Sequence, residues 1–516
     1  MRRTGKTGGA CPIGAPGPRE GGWNLGGFGP TSTLGSDRSS PAAQAVKKAT
    51  RGGSQDEPPP VVGDRPMVAE GAHATIRPMP VGHRPSAPLA CLLSLALAAA
   101  ACGPTVSPAP TGPASPGPTA AGSRPPAAPT GTGSPDPNVE ATYRGINEQV
   151  QAIRGLAEQE PVTPNIVSPD ELTEVLERAV REDTPDELLA AYEGLYQAMG
   201  LMPREDRLSD VYVELLASQV AGLYVPGSRE LYVLSKEGEV GPIERVFYSH
   251  EYVHALQDQH FDLQAFQPPE LADQSDRQMA RQSVVEGDAY VAMTYWLQQH
   301  LTTAELEMFG AVSSDPEGLA ALERIPPILS TQITFPALQG TFWVLRQQIT
   351  GGWAAIDALY DDPPESTEQI LHADKWDSRE PPIDVQIPDT LAADLGAGWS
   401  LVLEDTFGEQ QLGVWLTGQA PLSAFPPPPP EAAAGWGGDR VAYLTGPGGA
   451  WTVALKTEWD TATDATEFEA AVRDVLPDAD GPADVLPGAG GPVRWVVIGS
   501  DDAVLAQVSG ALGLAG

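Results

Sequence analysis

A run of proline, threonine, serine, glycine and alanine from Gly103 to Pro137 divides the chain into two parts that cannot share one core. Such a segment has little apolar surface to bury and behaves as an extended, semi-stiff spacer. The residues before it show no helix or strand periodicity, whereas apolar and helix-forming residues are dense from about Asn138 onward. We therefore expect a linker over residues 103–138, followed by a folded region over residues 139–516.

The segment before this linker has the pattern of an export signal. Residues 89–101 are an apolar run too short to span a bilayer as an ordinary helix, and the run ends in four alanines followed by Cys102. This pattern predicts a signal peptide over residues 79–102. A cysteine after small residues resembles a lipoprotein signal, which implies cleavage and diacylation at Cys102. Ala99 departs from that pattern, which usually has leucine there.

The position of the signal bears on where translation begins and where the protein resides. Signal peptides lie near the first residue. Residues 1–78 are therefore predicted to precede the true start, at Met67 or Met79, or to form a disordered extension. We expect an exported protein held at the cell envelope by a lipid anchor, which would be its only membrane attachment. Secretion without an anchor is the alternative.

The folded region is acidic and lacks cysteine. The net charge of the chain is −37, although the first 102 residues are net basic. Because an acidic surface repels nucleic acid and anionic lipid headgroups, we expect neither as a partner, and we expect a monomer. Cys11, Cys91 and Cys102 all precede the folded region, which excludes cysteine nucleophiles, disulfides and cysteine-zinc sites from it.

The sequence HEYVH, from His250 to His254, lies on a predicted helix that begins near Gly241-Pro242. Residues four apart share a helix face, so both imidazoles can reach one zinc ion, and Glu251 lies beside that ion. From there, Glu251 can take a proton from a zinc-bound water and later give it to the leaving amine. This motif therefore predicts a hydrolytic zinc site.

A catalytic zinc site needs a third protein ligand and keeps one position open. Glu286, in VVEGDA within a helical stretch from about Asp276 to Gln299, is the favoured candidate. His260 is the alternative, because HEYVHALQDQH has the metzincin spacing of histidines. That pattern requires a glycine where Gln257 stands, so that the chain can turn with positive φ. With glutamine there, we expect the helix to continue and His260 to rotate away from the metal.

Four short motifs carry a resemblance to a known family. HEYVHALQDQHFDL, followed by VVEGDA, GGW and DPPESTEQILH, resembles a group of bacterial envelope proteins with gluzincin-like catalytic domains. The resemblance covers about residues 140–460. It implies a zincin-like fold and zinc-dependent hydrolysis, with Glu251 as the catalytic base and with His250, His254 and Glu286 as the metal ligands.

The same resemblance implies a late histidine or tyrosine that donates a hydrogen bond to the oxyanion. His372 is the candidate for this role, and Tyr290 is a weaker alternative. The chain departs from thermolysin-type members, which carry an aspartate four residues after the ligand glutamate, where this sequence has Tyr290. Asp288, only two residues after Glu286, cannot simply take over that supporting role.

The element pattern predicts an α+β fold with two regions. Residues 139–380 are expected to form the zincin-like domain, with a small mixed sheet that includes a hairpin over Val220–Leu234. Residues 381–516 are expected to form a small C-terminal α+β unit. Its predicted strands are at 438–446, 450–459 and 493–499, and its predicted helices are at 465–476 and 503–514.

Taken together, these features predict a zinc metallopeptidase of the cell envelope that hydrolyses peptide or protein substrates. The alternative is a non-catalytic surface lipoprotein that uses a zincin fold as a binding or scaffold module. Loss of Glu251 or of a metal ligand would favour the alternative, and all of these residues are present.

Overall fold

The computed structural model describes residues 137–212, 222–234, 240–313, 324–418 and 430–514. Cys102, the predicted signal peptide and nearly all of the predicted linker lie outside these ranges. Within the described ranges, no helix has both the length and the apolar character needed to cross a bilayer. These ranges contain many helices and two separate sheets, so the predicted α+β class is confirmed.

The described residues before the predicted hairpin form several helices and one short strand. These elements are α1 (Pro137–Arg154), β1 (Pro164–Val167), α2 (Pro169–Asp183) and α3 (Asp186–Ala198). Helix α2 begins after Ser168, because Ser168 and Glu171 exchange side-chain and backbone hydrogen bonds in a capping box. Strand β1 was not predicted, since four residues are too few to show an alternating pattern.

The predicted hairpin is present in the described residues as β2 (Gly222–Val225) and β3 (Glu230–Leu234), which pair antiparallel. Strand β1 adds to β3 in parallel, which gives a three-stranded mixed sheet in the order β1-β3-β2. Strand β2 is therefore an edge strand of this sheet within the part of the chain that the structure describes.

The predicted metal-binding helix is α4 (Pro242–Phe261). Gly241 is extended and Pro242 occupies the first helical turn, where a missing N–H costs nothing. The helix passes through Gln257 without a break and ends at Phe261. Asp262 follows with φ 54°, and its side chain caps the short helix α5 (Leu263–Phe266). The prediction that glutamine continues the helix past His254 is confirmed.

The predicted glutamate helix is α6 (Ser275–His300), and it packs against α8 (Pro327–Gly351). Gly287 and Gly340 permit this contact: a Cβ at Gly287 would lie 2.4 Å from the carbonyl oxygen of Gly340. The two backbones therefore meet directly beside Glu286, which fixes the position of that side chain in the core. The other described helices between α6 and the C-terminal sheet are α7 (Thr303–Ser313), α9 (Trp353–Asp361), α10 (Thr367–Leu371), α11 (Ala373–Ser378) and α12 (Leu391–Asp394).

The C-terminal region contains an antiparallel five-stranded sheet in the order β4-β5-β6-β8-β7. Its elements are β4 (Ser400–Asp405), α13 (Gly408–Thr417), β5 (Trp436–Thr445), β6 (Trp451–Trp459), α14 (Ala462–Val475), β7 (Ala483–Pro487), β8 (Val493–Gly499) and α15 (Asp502–Ala511). The three predicted strands and both predicted helices are present, whereas β4 and β7 were not predicted.

One hydrophobic core joins this sheet to the helices that precede it. Leu195 of α3, Leu329 of α8, Leu412 of α13 and Val453 of β6 are fully buried in the same cluster. A polar contact reinforces the junction, because the Asp405 carboxylate at the end of β4 accepts hydrogen bonds from the backbone N–H and the hydroxyl of Ser275, the first residue of α6. The sheet therefore supports the end of α6 that leads towards Glu286.

Candidate metal centre

Helix α4 brings His250 and His254 together at one point on its buried face. Both residues are buried, and their Nε2 atoms lie 3.0 Å apart. This geometry follows from the four-residue spacing, which stacks side chains one turn apart on the same side of a helix. Burial lowers the pKa of His250 to about 4, and the nearby Glu286 carboxylate opposes that shift. His250 is therefore neutral at physiological pH, which is the form that binds a metal.

Helix α6 supplies the third donor of the group. The Oε2 atom of Glu286 lies 3.5 Å from Nε2 of His250 and 3.7 Å from Nε2 of His254. The three side chains are buried and form a group that can hold a metal ion. Ligand atoms around a tetrahedral zinc ion are about 3.3 Å apart, so the observed spacings of 3.0–3.7 Å fit such an ion. Two imidazoles and one carboxylate also suit other divalent first-row metals.

Glu251 lies next to this group and is held by the edge strand. Its Oε2 atom accepts the backbone N–H of Tyr224 at 2.8 Å, while its Oε1 atom is buried and makes no hydrogen bond to the described residues. Burial raises the pKa of the Glu251 carboxyl well above its usual range, Glu286 raises it further, and the Tyr224 N–H opposes the shift. One carboxylate oxygen is thus fixed and the other is available for proton transfer.

Gly222 sets the distance between strand β2 and Glu251. A Cβ at this position would lie 2.8 Å from Cγ of Glu251, closer than two carbon atoms can pack. Gly222 was not identified from the sequence. The available signal was a glycine at the start of a predicted strand, where it often marks the close approach of another group.

The other predicted site residues lie in different surroundings. Nε2 of His260 contacts the carbonyl oxygen of Ala157 at 2.7 Å, so this ring nitrogen faces the segment after α1 and does not join the metal-binding group. Nε2 of His372 contacts Oε1 of Glu409 in α13 at 2.8 Å. Tyr290, the weaker alternative for oxyanion binding, is the residue whose ring packs on His250, with ring centroids 4.5 Å apart.

Gln257 is a further residue of the site. In the sequence, it was considered only because glutamine disfavours the sharp turn that a glycine would allow after His254. Its Oε1 atom lies 2.8 Å from Nδ1 of His254, on the side of the ring away from the metal-binding group. The available signal was its position three residues after His254, which places both side chains on one helix face.

Comparison with known proteins finds a family match for the C-terminal sheet but not for the metal centre. A family model described as a domain of unknown function, DUF8575, matches residues 400–511. This match spans β4 to α15 and therefore covers the five-stranded sheet and the three helices α13, α14 and α15. No curated protein and no solved structure matches the chain.

Proposed function

We propose that this protein is a zinc-dependent peptidase with a zincin-like catalytic domain, in which His250, His254 and Glu286 hold the ion. The observation that supports this function best is the position of Glu251, buried beside three converging metal donors with one carboxylate oxygen fixed and the other available. A site that only stores or senses a metal needs its ligands but not an adjacent carboxylic acid of raised pKa.

When bound, zinc supplies Lewis acidity and lowers the pKa of a coordinated water to near 7. The remaining chemistry belongs to side chains of this protein. Glu251 accepts a proton from the attacking water through Oε1 and delivers it to the nitrogen of the departing amine. Its raised pKa suits both steps, because a carboxyl that titrates closer to neutral pH exchanges protons in both directions.

The substrate binds in this proposal as an extended peptide along strand β2. The Tyr224 N–H on the outer side of this strand bonds to Glu251, so the edge of β2 that pairs with no other described strand faces Glu251 and the metal-binding group beside it. Strand addition of this kind holds a peptide by its backbone and leaves side-chain preference to the surrounding pockets. We also propose export and envelope attachment through Cys102, action as a monomer, and no binding to nucleic acid.

The competing function is a non-catalytic surface module that keeps the zincin fold for binding or as a scaffold. The decisive experiment compares the zinc-loaded full chain with its Glu251→Gln variant on a proteome-derived peptide library. Glutamine cannot accept the proton, so hydrolysis should fall by roughly 10²–10⁴-fold while zinc stays bound. Glu409→Gln is the matched control, because Glu409 is equally buried but contacts His372, which is not part of the metal-binding group.

Two outcomes would count against the proposal. A wild-type protein that binds zinc but cleaves no library peptide would favour the binding or scaffold function. A Glu251→Gln variant as active as the wild type would remove Glu251 from the mechanism.

A further inference from the structure

Gln257 connects the metal ligand His254 to a buried polar network. The amide of Gln257 contacts Nδ1 of His254 at 2.8 Å on one side. On the other side it lies 3.0 Å from the carbonyl oxygen of Val285 and 3.0 Å from the Asp288 carboxylate, both on α6. Gln257 is fully buried, so water does not compete for these contacts.

Asp288 acts as an acceptor in this network. Its carboxylate accepts two hydrogen bonds from Arg154, at 2.6 and 3.1 Å, and one from the Tyr360 hydroxyl at 2.9 Å. Arg154 and Asp288 are both fully buried. The Gln257 amide donates a further hydrogen bond to the same carboxylate.

These contacts determine the orientation of the Gln257 amide. The Val285 carbonyl and the Asp288 carboxylate are both acceptors, so the NH₂ group of Gln257 must face them. The carbonyl oxygen of the same amide then faces His254, and Nδ1 of His254 must donate to it. With the Nδ1 hydrogen directed at Gln257, Nε2 is the ring nitrogen that points at His250 and Glu286.

We propose that Gln257 is a positioning residue, which Asp288 and Arg154 orient so that it holds His254 in the Nδ1–H tautomer required for metal binding through Nε2. This inference rests on the metal site of the proposed function, but it does not depend on peptide hydrolysis. It gives Asp288 a role that the sequence did not reveal: Asp288 supports a ligand histidine through an intervening glutamine.

The network also ties the metal site to distant parts of the chain. Arg154 is the last residue of α1, and its second carboxylate partner, Asp357 of α9, lies 2.7 Å away. Tyr360 belongs to the same helix α9. The tautomer of His254 thus depends on docking of α1 and α9 against α6. Mutation of residues that hydrogen-bond to a metal ligand typically changes metal affinity by 10- to 100-fold.

The first test measures zinc affinity of the full chain by competition with a chelator. Gln257→Met keeps a side chain of similar length but removes all three hydrogen bonds of the amide. We expect zinc to bind at least tenfold more weakly to this variant than to the control Gln278→Met. Gln278 is also buried, and its amide donates to the carbonyl oxygen of Leu271 away from the metal donors. A loss smaller than tenfold relative to the control would overturn the proposal.

The second test measures the wild-type protein itself and uses a variant only to identify one signal. Nitrogen-15 NMR of histidine-labelled, metal-free wild-type protein reports the tautomer of each ring, and His254→Ala identifies the signal by its loss. We expect His254 to carry its proton on Nδ1. A proton on Nε2 would overturn the inference. If the wild type binds no zinc, the proposed function fails, whereas the tautomer measurement still decides this inference.

Discussion

At the scale of single residues, Tyr290 and His372 are the two candidates for donating a hydrogen bond to the oxyanion. Tyr290 is buried with its ring on His250, one turn beyond Glu286 on the same helix. His372 is instead engaged with the buried Glu409, whose hydrogen bond raises the pKa of His372 against the opposing effect of burial. The position of His372 and its contact with Glu409 suit a link between α10 and α13 better than a role at the metal-binding group.

Replacement of Tyr290 by phenylalanine tests this assignment. The ring would stay on His250 while the hydroxyl is lost, so kcat should fall by about 10²-fold, with zinc affinity nearly unchanged. His372→Ala should leave kcat close to that of the wild type. Steady-state kinetics on one cleaved peptide measures both variants. A large loss of kcat in His372→Ala with an unaffected Tyr290→Phe would restore His372 to the site.

At the scale of elements, long and strongly patterned segments were predictable from the sequence. The α4 helix and the β2–β3 hairpin follow from local signals such as Gly241-Pro242 and the turn at Pro226. Strands β1, β4 and β7 were missed because they are short, and β1 and β4 also owe their conformation to pairing with strands that lie far away in the sequence.

At the candidate site, too, contacts within one helix could be predicted from the sequence, whereas contacts between helices could not. The pairing of His250 with His254 and the rotation of His260 away from them depend on helix geometry alone, so they could be predicted. The link from His254 through Gln257 to Asp288 and Arg154 joins three helices. No local pattern in the sequence indicates that residues so far apart along the chain meet.

At the scale of the whole molecule, buried acidic groups lie where the helices meet the C-terminal sheet. Burial raises the pKa of Glu368 to about 7, although Lys375 at 3.0 Å opposes the shift and Glu409 adds to it. Burial likewise raises the pKa of Asp439 to about 6. A carboxyl whose pKa is raised on folding stabilises the fold at low pH, and this stability is lost as the pH rises through the folded-state pKa.

Glu368→Gln should therefore gain stability relative to the wild type as the pH rises. Between pH 5 and 8, the difference in the free energy of unfolding should shift in favour of the variant by on the order of 1–3 kcal/mol. Urea denaturation at several pH values measures this difference. Glu380→Gln is the control, because Glu380 also contacts Lys375 but is more exposed. A difference between Glu368→Gln and wild type that does not change with pH would contradict the argument.

Zinc titration of the metal-free full chain tests whether His250, His254 and Glu286 form one metal site. We expect about one zinc per chain for the wild type. We also expect at least tenfold weaker binding for Glu286→Gln, about 1.4 kcal/mol or more, and nearly unchanged binding for His260→Ala. A wild type that binds no zinc would show that these residues do not form such a site. Strong loss of zinc in His260→Ala together with full retention in Glu286→Gln would show that His260, and not Glu286, is the third ligand.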